Sequence, residues 1–171
     1  PRTFDEIVTE MRTAARRHDS PDEAVATIRA SRRNELLRLA MADLLGQIEL
    51  VDLGAALSAV TAATIDVTLE VASRGLALPP LAVIAMGRWG GAELSYGSDA
   101  DAMFVLADND WADATASATT AISRLRALLA QPGADPALEI DVDLRPEGKQ
   151  GAIVRSVTSY RAYYERWSST W

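Results

Sequence analysis

The chain has 171 residues, 49% hydrophobic and 24% charged, with a formal net charge of −7, the balance of a folded domain rather than of an acidic disordered tail. It has no cysteine and one histidine, His18, which excludes disulfides and thiolate metal centres and leaves no basis for a zinc site or a Ser-His-Asp triad. So acidic a chain is ill suited to gripping a phosphodiester backbone, so nucleic acid is not an expected partner, and any nucleotide handled here calls for a divalent cation to screen it.

No uninterrupted apolar run approaches ~18 residues, so no membrane span is expected. The opening PRTFDEIVTEMR has no apolar leader core, and a cytoplasmic location is expected. A start at Pro1 and a stop at Trp171 in mid-pattern read as a piece of a longer protein.

The first 78 residues read as a helical lead-in. TFDEIVTEMRTAARRH puts Phe4, Ile7, Val8 and Met11 on one stripe. SPDEAVATIRASRRNELLRLAMADLLG opens with Ser20 as N-cap, Pro21 at N1 and Glu23 as capping-box partner, and closes at Gly46. Its length suggests a kink or break around Ser31 to Asn34. VDLGAALSAVTAATIDVTLEVASRG carries Leu53, Leu57, Val60, Thr64, Val67 and Val71 at spacings of four and three, with Asp52 to cap its start and Gly75 to end it. The charged residues of this half are expected on solvated faces.

After the punctuation LALPP the character changes, and residues 79–171 read as a separate α+β domain. LAVIAM suits a buried strand. A glycine-rich turn leads into a second strand, DADAMFVLAD, and WADATASATTAISRLRALLAQPG reads as a helix. ALEIDVDLRPEG is a third strand broken at Pro146, and SVTSYRAYYERWSSTW a last helix with Val157, Tyr160, Tyr164 and Trp167 on one side. A small mixed sheet covered by helices is the expected architecture.

The chemistry concentrates in MGRWGGAELSYGSDADAMFVL. Strand alternation puts Asp99 and Asp101 on one side, about 6–7 Å apart along the chain. In the third strand Leu138, Ile140, Val142 and Leu144 should point one way, and Glu139, Asp141, Asp143 and Arg145 the other. If these strands are neighbours, several carboxylates converge on one sheet face, where one pKa rises or a cation binds. All-oxygen ligands favour a hard ion, Mg²⁺ or Mn²⁺. Neither the D-x-D pair nor the turn is specific alone, since a half-exposed strand also reads apolar, acidic, apolar, acidic, and the turn matches neither a dinucleotide fingerprint nor a P-loop. Together, a strand ending in Gly87-Arg88, a tight segment with Gly90 and Gly91, a D-x-D separated from Arg88 by ten residues and a distal carboxylate form the layout of a metal-dependent nucleotidyltransferase. Glycines there let main-chain N–H groups approach an anion.

MGRWGGAELSYGSDAD resembles the signature of the glutamine synthetase adenylyltransferase family, G-[KR]-x-G-G-x-E-[LM]-x-[YF]-x-S-D-x-D. IDVDLRPEGKQGAIVRS is similar to its second block, V-D-x-x-L-R-P-x-G-x-x-G. YRAYYERWSSTW and the upstream SRRNELLRLAMADLLG resemble the flanking segments, so the likeness covers nearly the whole chain. It implies a DNA polymerase β-like nucleotidyltransferase fold, Mg²⁺ or Mn²⁺ with ATP as substrate, and glutamine synthetase as the protein modified. It also implies a nitrogen-signalling regulatory protein acting on the longer polypeptide. Such enzymes carry two homologous domains, one attaching AMP to a tyrosine and one removing it by phosphorolysis. The Y-G-S-D-A-D and R-P-E-G-K-Q-G wording is closer to the AMP-attaching, C-terminal domain, with the removing domain and a catalytically inactive nucleotide-binding regulatory module as alternatives.

The resemblance implies that Asp99, Asp101 and Asp141 are the metal-binding, catalytic carboxylates, with Asp141 facing the incoming hydroxyl as general base. Gly87, Arg88, Gly90 and Gly91 would form the nucleotide turn, Ser98 would reach a phosphate or cap the turn, and Glu93 would fix the turn through main-chain N–H groups. Arg145 and Lys149 are candidate phosphate contacts, Arg145 alternatively pairing with an acid. Asp143 stands where many members carry arginine, so no cationic role carries over there and Asp143 becomes a candidate member of the acidic cluster.

Overall fold

The computed structural model describes residues 1–108 and 111–168; the expected end of the last helix, Ser169 to Trp171, lies outside them. Three helices come first: α1 (Phe4–Ala15), α2 (Pro21–Leu44) and α3 (Leu50–Ala72). Each stripe buries as its spacing predicts: Ile7, Val8 and Met11 of α1 and the Leu53-to-Val71 series of α3 are all in the core, although Phe4 stays partly exposed. A reciprocal capping box of Thr3 and Glu6 starts α1.

Four expectations for this half are corrected. The α2 helix runs unbroken through Ser31–Asn34, because no proline or glycine interrupts it and its middle is held by packing on both neighbours. Ser20 and Pro21 take the expected N-cap and N1 positions but Ser20 makes no side-chain cap bond, and α3 starts at Leu50 with Glu49 at the N-cap, so Asp52 sits inside the first turn. Finally, Arg29, Arg32 and Glu35 are buried rather than solvated. Glu35 lies between Arg2 and Arg38. Arg29 donates to the Asp135 carbonyl at 2.5 Å and Arg32 to that of Pro136 at 3.2 Å, so α2 grips the connection leading to the third strand. By length and hydropathy α3 could cross a membrane, at 23 residues and a mean hydropathy of 1.5, yet 61% of its apolar window is buried inside the protein.

The second half contains β1 (Leu81–Ala85), a four-residue turn of helix α4 (Gly87–Gly90), β2 (Ala100–Leu106), α5 (Ala114–Ala130), β3 (Ile140–Asp141), β4 (Val154–Ser156) and α6 (Val157–Trp167). The sheet is mixed. One edge of β2 pairs antiparallel with all of β1. The other edge is shared by two short parallel strands: β3 opposite Ala100 and Asp101, and β4 opposite Phe104 to Leu106. The single long third strand read from ALEIDVDLRPEG is therefore only two residues. The strand pattern fails after Val142, where the chain turns: Leu144 is 52% exposed and Arg145 is buried instead. The Arg145 guanidinium donates to the carbonyls of Val142 (2.7 Å), Gly151 (2.9 Å) and Lys149 (3.1 Å), organising the loop that returns the chain as β4.

One cluster of buried side chains runs from Ile7 of α1 through α3 and α5 to Val154 of β4, so the helical and sheet halves share a core. The arrangement is α+β, consistent with a polymerase β-like nucleotidyltransferase domain. Phe104, fully buried in β2, belongs to this shared cluster. Phe104→Ala should cost about 3–5 kcal/mol, read as a lowered midpoint in urea denaturation.

Candidate active site

The parallel pairing of β2 with β3 is what assembles the site. Ala100 N–H donates to the Glu139 carbonyl at 3.1 Å, and the register sets Asp101 directly opposite Asp141. Asp99, one residue before β2, closes the group. Asp99, Asp101 and Asp141 each offer an oxygen, and all three oxygens lie within 4.8 Å of one another.

Charge and burial act together here. Desolvation first, then the charges of Asp99 and Asp141, push the Asp101 carboxyl above the ordinary carboxylate range. Three convergent carboxylate oxygens, one of them costly to ionise, match the donor set of a hard divalent cation, so the residues present fit Mg²⁺ or Mn²⁺. Asp141 Oδ1 accepts the Asp143 N–H at 2.7 Å, which fixes its rotamer as the chain leaves the sheet.

The glycine turn abuts this cluster. Met86 N–H donates to the Asp101 carbonyl at 2.9 Å, tying the end of β1 to β2. Gly87 has φ +51° and sits so close to the cluster that a Cβ there would be 2.5 Å from Asp101 Oδ2; only glycine satisfies both conditions. Gly90 is required differently, since a Cβ would fall 2.7 Å from the Ala85 carbonyl oxygen. The N–H groups of Gly90 and Gly91 close the turn onto Met86 and Gly87 carbonyls at 2.8 and 3.1 Å, so these two glycines shape the turn rather than present their amides outward.

The remaining sequence candidates divide. Arg88 folds back on the turn, donating to the Glu93 carbonyl at 3.1 Å and to Ser95 Oγ at 3.4 Å. Glu93 enters the turn through its backbone, its N–H reaching the Arg88 carbonyl. Ser98 caps the turn, its Oγ accepting the Ser95 N–H at 3.1 Å. Arg145 is committed to the three carbonyls of its loop. Asp143, expected as an additional member of the acidic cluster, is instead flanked by cations, 3.5 Å from Arg145 and 3.3 Å from Lys149. Lys149 itself has a largely solvent-facing side chain at the rim of a cleft of about 490 Å³ that also takes in Asp99, Asp141, Asp143 and Arg126.

Arg126 is a residue that sequence reading passes over. It lies on α5, donates to the Ile140 carbonyl at 3.3 Å, and brings a cation to the carboxylate cleft. Helical spacing marks only its neighbours Ile122, Leu125 and Leu129 as core; nothing local signals that α5 passes beside β3.

The sequence profile of the family described as glutamate-ammonia ligase adenylyltransferase matches residues 1–171. Three relatives are each named bifunctional glutamine synthetase adenylyltransferase/adenylyl-removing enzyme. The protein from Cutibacterium acnes is 47% identical over all of this chain, that from Nocardia farcinica 44% over 98% and that from Mycobacterium tuberculosis 46% over 92%. The chain spans only 17–18% of the length of these relatives. With a match along its whole length and a carboxylate triad in place, the chain belongs to the glutamate-ammonia ligase adenylyltransferase family.

Proposed function

We propose that this chain is a nucleotidyl-transfer unit that moves AMP from ATP to a tyrosine of glutamine synthetase, acting in the cytoplasm within nitrogen regulation. The observation that carries the proposal is the convergence of Asp99, Asp101 and Asp141 against Gly87.

Asp99, Asp101 and Asp141 would hold the divalent cation. Bound there, Mg²⁺ or Mn²⁺ would neutralise the triphosphate and the pyrophosphate that departs. The work of the chain's own groups is positional and proton-handling. Gly87 leaves room beside Asp101 for a phosphate to approach the carboxylates. Asp141, held through Oδ1 by the Asp143 N–H, has its second oxygen to accept the tyrosine proton as the phenol oxygen attacks the α-phosphorus. Lys149 and Arg126 at the cleft offset phosphate charge from the protein side. Arg88, Ser98 and Arg145 support the reaction indirectly, by holding the turn and the loop that carry Gly87 and Lys149. A nitrogen-signalling regulator would act through other parts of the longer enzyme.

The deciding experiment supplies the full-length protein either with ATP and unmodified glutamine synthetase or with phosphate and the adenylylated form. Loss of AMP attachment in Asp101→Asn, with removal intact, supports the proposal. Loss of removal alone assigns the chain to the opposite reaction, and retention of both marks a non-catalytic module. Relative to wild type, the loss should exceed the roughly 10–100-fold typical of disturbing a metal site's outer shell.

The same variant has a second signature. Because the folded-state pKa of Asp101 is raised, its contribution to stability is present at low pH and is lost as pH rises through that pKa. Metal-free Asp101→Asn should therefore melt at higher temperature than wild type near neutral pH, and the difference should vanish once the pH falls below the usual aspartate range. At Gly87, alanine meets both the left-handed backbone and the Asp101 oxygen. Gly87→Ala should cost about 1–2 kcal/mol of stability from the backbone alone and weaken Mn²⁺ binding measured by titration calorimetry.

A further inference from the structure

The glycine turn is clamped from two sides, and only one of them is the carboxylate cluster. The other is a single turn of α3. Gly54 of α3 lies flush against the turn's backbone: a Cβ there would come 3.2 Å from the Ala92 carbonyl oxygen and 3.3 Å from Glu93 Cα. Four residues on, Ser58 makes two bonds across the same junction. Its carbonyl accepts from Trp89 Nε1 at 3.3 Å, and its Oγ accepts the Leu94 N–H at 3.4 Å. The same hydroxyl donates back to the Gly54 carbonyl at 2.8 Å, so its orientation is set by the helix. Ser58, Trp89 and Leu94 are all buried.

These contacts enclose a segment with a strained backbone. Ala92 adopts φ +57° without being glycine, a state that surrounding structure must impose. Gly87, at the other end of the segment, lies beside Asp101, where a Cβ would fall 2.5 Å from Asp101 Oδ2. Movement of α3 against residues 89–94 is therefore transmitted to Gly87 and from there to the carboxylate.

We infer that the Gly54–Ser58 turn of α3 positions the glycine turn against Asp101, with Gly54 and Ser58 as positioning residues for nucleotidyl transfer. The inference rests on the functional reading above. It makes the helical segment part of the catalytic unit, and it sets a tolerance of tenths of an ångström at a helix that carries no chemistry of its own.

Gly54→Ala separates positioning from folding, because alanine favours the helix while its methyl presses on the Ala92–Glu93 backbone. In the full-length protein it should leave the melting temperature unchanged or raised, yet lower kcat/KM for ATP roughly ten-fold and speed hydrogen exchange at the amides of residues 90–94. Ser58→Ala should act in the same direction. Ser58→Thr should restore activity, since Thr64 on this helix already makes the equivalent back-bond, to the Val60 carbonyl at 2.7 Å. Wild-type exchange and wild-type kcat/KM in Gly54→Ala would overturn the inference, as would losses that merely track melting temperature. If the wild-type protein transferred AMP in neither direction, the functional reading itself would fail and the inference with it; intact wild-type transfer with unaffected variants defeats the inference alone.

Discussion

Three carboxylates held with their oxygens within 4.8 Å of one another repel, and the rest of this structure is arranged to keep them there. Repulsion of this kind is relieved by separation, by protonation or by a cation. Separation is blocked by the backbone: Asp101 and Asp141 face each other across a parallel ladder, and Asp99 is carried one residue before it. The cluster is thus held together against its own repulsion, at a cost borne by the fold.

That preorganisation draws on elements distant in the chain. The Asp141 side needs the 131–137 connection, which Arg29 and Arg32 of α2 hold by its carbonyls, and the following loop, which Arg145 holds by three more. Buried arginines bonded to main-chain carbonyls fix backbone position without bringing further negative charge near the site. The Asp101 side needs the glycine turn, which α3 supports from behind. A helical segment with no reactive residue therefore determines the geometry of a site it does not contain, which is why one core spans both halves.

The cations divide by the same logic. Arg88 and Arg145 are drawn into backbone bonds away from the cleft, while Lys149 and Arg126, the latter also bonded to the Ile140 carbonyl, border it. The cleft that these two cations border is itself acidic, lined also by Asp99, Glu139, Asp141 and Asp143, in keeping with the chain's net charge of −7.

Much of this was legible in the residues themselves. Apolar periodicity located α1 and α3, because burial on one face leaves a repeat that needs no partner to be seen; apolar runs marked β1 and β2, although β1 is alternately half-buried and exposed rather than the buried strand that LAVIAM suggests. The motif pair picked out the three carboxylates and Gly87, which the fold brings side by side, since a tight turn demands glycine at a particular position. What alternation could not reveal was where pairing stops: β3 ends after two residues because the loop carbonyls find Arg145 instead of a neighbouring strand. Likewise, whether a charged residue is solvated depends on what packs over it, so Arg29, Arg32 and Glu35 could not be told from surface residues. Residue identity by itself determined which groups hold the charge; only tertiary structure decided which backbone holds those groups still, because the parallel pairing, the Arg126 approach and the α3 seat join segments that no local pattern connects.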